Sequence, residues 1–160
     1  MPRSSGGALL RKRDGWAARL RAFSFQLIGE PMLWGRTDCH AFVLQAIDVM
    51  TGGDLFGTIR ARYFDVRSAL VLWKELGDLD GHLEALGCTT VDHPHFGDIV
   101  LYDRVQSSVE WPGSTPALSM MGDRVMLPVQ DSGYLGIVPI WAVGHVSRVV
   151  RIPCLPQSSD

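Results

Sequence analysis

The residue of this 160-residue chain best placed for nucleophilic chemistry is Cys39. It follows Trp34-Gly35-Arg36-Thr37-Asp38 and precedes His40-Ala41-Phe42-Val43, so a Gly-containing turn delivers it to the opening of an expected helix. Unpaired backbone N–H groups and the positive end of the helix dipole at that position lower a thiol's pKa and favour the thiolate. Asp38 is the expected helix cap, its side chain accepting from the first free amides. Amide hydrolysis needs more than a thiolate. An imidazole must hold the thiolate and protonate the leaving amine, a third polar group must orient that ring, and the oxyanion needs donors. His40 adjoins the cysteine, but consecutive side chains on a helix point about 100° apart. His145, in Gly144-His145-Val146-Ser147, opens a late strand and is the weak candidate base. No histidine occurs between Arg104 and Gly144. Cys39 is therefore expected to lack a histidine within about 4 Å, the outer reach of a loose hydrogen bond. If His145 or His40 were bonded to that sulfur, the active-enzyme reading would take over.

A second group of potential ligands is His82, Cys88, Asp92, His93 and His95. His93 and His95 would share one face of an extended segment, and zinc accepts imidazole, thiolate and carboxylate. Yet His82 falls on an expected helix, Pro94 interrupts the strand, and no Cys-x-x-Cys pair is present. These are read as loop histidines, with no metal and no cofactor. Asp98 is expected to be structural, a strand-start carboxylate satisfying turn amides. Trp34, Trp73, Trp111 and Trp141 are read as core or interface anchors.

The elements that must position these groups follow from periodicity. Trp16, Leu20, Phe23 and Leu27 form one stripe and predict a helix over 14–28, stopped by Gly29-Glu30-Pro31. After Cys39 the apolar face is Phe42, Val43, Ala46, Ile47 and Met50, and Thr51-Gly52-Gly53 ends it. Further helices are expected over 66–76 and 79–86. From Gly97 onward the chain is apolar, rich in β-branched residues and punctuated by Gly and Pro, predicting strands over 98–102, 117–121, 124–129, 134–139 and 146–152. Gly122-Asp123 is a hairpin turn. Helices first and an antiparallel sheet second define an α+β fold.

Composition bounds the rest. A hydrophobic content of 46% in 160 residues suits one domain with a real core. We expect a flexible basic arm over 1–13, a domain over 14–152 and a flexible tail over 153–160. A net charge of −2 gives no indication of a nucleic-acid partner. Three cysteines, Cys39, Cys88 and Cys154, are too few and too odd a set for a disulfide framework. No apolar run approaches the roughly 20 residues of a membrane span. Ala8-Leu9-Leu10 is too short for the core of a signal peptide, which predicts synthesis in the cytoplasm.

Asp38-Cys39 with Phe42-Val43, followed by Gly97-Asp98-Ile99-Val100-Leu101-Tyr102, resembles the NlpC family of papain-like cell-wall cysteine peptidases. The longer pattern is similar to a branch of that family found in phage and prophage tail gene clusters. It comprises Trp34-Gly35-Arg36-Thr37-Asp38-Cys39, Gly52-Gly53-Asp54, Tyr63, Leu86-Gly87, Gly97-Asp98 and Gly133-x-x-Gly136, and spans roughly 20–152. The resemblance implies N-terminal helices packed on a small antiparallel sheet, with Cys39 as nucleophile. It also implies a base at the start of the strand after Gly97-Asp98, where this chain has Pro116-Ala117-Leu118-Ser119-Met120-Met121-Gly122 and no histidine. The function so implied is a tail-tip or baseplate component of the virion with a degenerate peptidase site. Its partners would be other tail-tip or baseplate proteins, with peptidoglycan as a second partner. The alternative is an active peptidase or amidase that cuts peptidoglycan stem peptides during genome entry.

Elemental analysis of the purified protein tests the ligand group. The expected result is no stoichiometric zinc or iron. One equivalent of metal, lost on joint His93→Ala and His95→Ala substitution, would overturn that reading.

Overall fold

The computed structural model describes residues 8–104, 113–130 and 132–156. Trp111 and the outermost parts of the expected arm and tail, 1–7 and 157–160, lie outside them. The chain runs through helices α1 (Trp16–Leu27), α2 (Cys39–Thr51), α3 (Val66–Leu76) and α4 (Leu79–Ala85). Strands β1 (Thr89–Thr90), β2 (Ile99–Asp103), β3 (Thr115–Met120), β4 (Arg124–Pro128), β5 (Leu135–Pro139) and β6 (His145–Arg151) follow.

Helix α2 is apolar on nearly all sides, and burial runs from Cys39 through Leu44 and again at Ala46, Ile47, Met50 and Thr51. Such a helix cannot lie on a surface. It packs between α1 and the sheet, touching β3 and β4, and Phe42 stacks on Phe23 of α1 with ring centroids 6.1 Å apart. Asp65 and Ser68 cap α3 reciprocally, side chain to backbone in both directions. That helix turns Ala69, Leu72 and Trp73 inward.

The strands form one antiparallel sheet in the order β1-β6-β2-β3-β4-β5. Alternation sends Ile99 and Leu101 of β2, Leu118 of β3 and Met126 of β4 toward the helices. Val100, Tyr102, Ala117, Val125 and Val149 form a second buried cluster on the other face. Both faces being covered explains the unbroken apolar run 99–102. A short 3₁₀ turn, Ile140–Val143, links β5 at one edge to β6 near the other. Ile140, Val143 and Val146 pack against the second cluster as the chain crosses. Gly122 and Asp123 both take positive φ, 72° and 53°, in the three-residue connection between Met120 and Arg124.

The expected helices and longer strands appear within about two residues of their predicted bounds, the ordinary spread between boundary definitions. Two-residue β1 was not expected, being too short to show a period. The arm and tail need correction. Leu10 and Lys12 are buried, and the amides of Leu10, Lys12 and Arg13 donate to Leu86, Pro153 and Met50 carbonyls at 2.8–2.9 Å. Lys12 also forms a parallel bridge with Cys154, and its Nζ lies 4.0 Å from the Trp16 ring centroid. Lys12 therefore pairs with 153–155, its amide donating to Pro153 and its carbonyl accepting from Leu155, while Leu10 and Arg13 tie the same segment to Leu86 and Met50, because an extended backbone satisfies its polar groups by pairing. Trp141 is 81% exposed and is no core anchor of this chain. Among the described residues no helix is long and apolar enough to cross a membrane.

Asp98 behaves as a structural carboxylate, fully buried at the start of β2. It accepts from the His95 amide at 2.8 Å and from the Arg151 guanidinium at 2.7 Å and 3.0 Å. Breaking a buried pair strands the remaining charge, here moderated because Arg151 is partly exposed. Asp98→Asn should cost roughly 2–4 kcal/mol in urea unfolding. A loss below about 1 kcal/mol, the worth of a surface pair, would show that the interaction is not structural.

Candidate functional site

The turn before α2 is built around its own polar groups. Thr37 Oγ1 donates to the Pro31 carbonyl at 2.8 Å and accepts from the Leu33 amide at 2.8 Å. Gly35 has φ 78° and passes so close to the Tyr63 carbonyl that a Cβ would lie 2.5 Å from that oxygen. Only glycine fits there. Its amide donates to Asp38 Oδ2 at 2.7 Å, while the His40 and Ala41 amides donate to Oδ1 at 3.2 Å each. Tyr63 Oη completes the set at 2.8 Å and 2.9 Å from the two oxygens. Asp38 is thus a helix cap that also fastens the turn to the segment before α3. Burial raises its carboxyl above the ordinary range even though every one of these donors favours the anion.

Cys39 occupies the first turn of α2, as its sequence context predicts, but the surroundings do not activate it. The residue is 2% exposed. Burial pushes its thiol up to about 11, outweighing the lowering effect of Arg104 and of nearby amides. Arg104, just past the end of β2, places Nη2 3.7 Å from the sulfur and also bonds the Tyr102 side chain. His40 Nδ1 lies 3.9 Å from the sulfur, so the expectation of no histidine within about 4 Å is not met, and the contact set as the condition for an active enzyme is present as a long hydrogen bond. The 100° divergence holds for ideal side-chain directions, but both side chains share the space at the helix start and can turn toward each other. The imidazole is buried and stacked on Trp73, ring centroids 4.0 Å apart. Burial, with the Arg104 charge adding to it, pulls its pKa down to about 3. At neutral pH the pair is a neutral thiol beside a neutral imidazole.

His145 is not brought to the sulfur. It stands exposed at the start of β6, opposite Asp103 in the β2–β6 register. The strand that follows β2 is β3, which packs against α2 and begins Thr115-Pro116-Ala117. Among the described residues, Asp38, Cys39 and His40 are the group whose ligand atoms approach within 4.8 Å of one another. His82, Cys88, Asp92, His93 and His95 do not converge so: His82 Nε2 pairs with the Leu76 carbonyl at 2.6 Å, and the His93 carbonyl accepts from Arg151. Asp38 already has both oxygens occupied, and a guanidinium sits beside the sulfur. A divalent cation there would have to displace the donors that hold the helix start and face a fixed positive charge. Tyr63 carries no role in the chemistry read from residue types, although the sequence resemblance includes it. Arg104, which lies 65 positions from Cys39, had no signal.

A crystal structure of the NlpC/p60 domain of peptidoglycan hydrolase SagA matches this fold with a TM-score of 0.53. Sequence identity is 18%, and the match covers 84% of this chain and 97% of that one. The architecture is thus α+β, papain-like and NlpC-like. The chain belongs to the family described as a domain of unknown function (DUF6950), whose sequence profile matches residues 11–111. No curated protein matches it.

Two predictions follow the geometry. Tyr63→Phe removes the hydroxyl donor that both Asp38 oxygens share, and should cost roughly 1.5–3 kcal/mol, the range for a bond to a charged group. An unfolding free energy unchanged within about 0.5 kcal/mol would show that the backbone amides suffice. For His40, the unfolded chain binds a proton near 6.5 and the folded chain only near 3. The unfolded state holds more protons between those values, so stability should fall as pH drops through that window. The slope contributed is up to about 1.4 kcal/mol per pH unit. His40→Phe, which keeps a ring on Trp73, should flatten that dependence in urea unfolding measured from pH 7 to 4. An unchanged slope would mean that His40 is not the group titrating.

Proposed function

We propose that this chain is a tail-tip or baseplate component of a phage or prophage, in which an NlpC-like domain serves assembly rather than hydrolysis. One observation carries the non-hydrolytic part: Cys39 is closed in between Arg104 and a neutral His40, with no histidine on β3. Burial raises the Cys39 thiol and lowers the His40 imidazole, so transfer of the proton from sulfur to ring is opposed at both ends. A guanidinium stays protonated and cannot relay a proton to a leaving amine. The tail assignment is supported by the sequence pattern running from Trp34-Gly35-Arg36-Thr37-Asp38-Cys39 to Gly133-x-x-Gly136. In this reading the protein is made in the bacterial cytoplasm and resides in the virion tail beside other tail-tip proteins.

A second reading, a cysteine peptidase or amidase acting on peptidoglycan stem peptides, is favoured by the 3.9 Å approach of His40 to the sulfur and by the name of the SagA neighbour. Muropeptide analysis of purified peptidoglycan, treated with wild type or Cys39→Ala, separates the two. The expected result is the same muropeptide profile from both as from untreated wall. Cleavage by the wild type that is lost in Cys39→Ala would establish the enzyme. Antibody labelling of intact virions should mark the distal tail, and virions free of the protein would overturn the structural role.

A further inference from the structure

We draw no further inference here: the strongest candidate, the shallow surface groove between Phe64 and α3 that is floored by Leu72 and edged by Arg62, Arg67, Asp65 and Glu75, carries nothing because its opposing charges balance and nothing in the structure shows what covers it.

Discussion

The Asp38 carboxylate is the point on which the turn, the central helix and the segment before α3 all depend. A carboxylate taken out of water is costly unless every lone pair finds a donor. Here the donors are the Gly35, His40 and Ala41 amides and the Tyr63 hydroxyl. They come from three separate pieces of chain. Satisfying one buried anion therefore fixes the backbone on both sides of Cys39. It also explains why glycine is needed at position 35, where the Tyr63 carbonyl presses against the turn.

The same burial acts on the thiol. A helix N-terminus contributes roughly 0.3–1 kcal/mol to a charge, less than one pKa unit. Complete burial shifts a titratable group by up to about 3–5 units the other way. Cys39 has the favourable dipole and a nearby guanidinium, and burial still prevails. For His40, burial and the Arg104 charge act together, and both keep the imidazole neutral. The thiol and the imidazole are thus adjacent without forming an ion pair.

None of this weakens the scaffold. The sheet is covered on one face by the helices and on the other by the chain crossing from β5 to β6. The Lys12–Cys154 bridge closes the two ends of the domain against each other, and the buried Asp98–Arg151 pair ties the start of β2 to the end of β6. These interactions stand apart from the thiol, so an NlpC-like fold persists whatever becomes of the chemistry. Fold and activity are separable in this way because activity resides in a few side chains.

Much of the architecture is a local property of the sequence. The stripe at Trp16, Leu20, Phe23 and Leu27, the stops at Gly29 and Gly52, the apolar run 99–102 and the Gly122-Asp123 turn each encode their element through short-range sterics and periodicity. Asp38 as cap and Asp98 as strand-start anchor are legible for the same reason, since their partners lie within three residues. The clasp of Lys12 with Pro153 and Cys154, and the partnership of Asp98 with Arg151, join distant parts of the chain and leave no local trace. The state of Cys39 belongs to this second kind. Its helix and cap can be read from residues 34–43, but its pKa is set by how deeply α2 is buried and by Arg104 on another element. Charge in a folded protein depends on three-dimensional distance and on exclusion of water, and only the tertiary structure determines either.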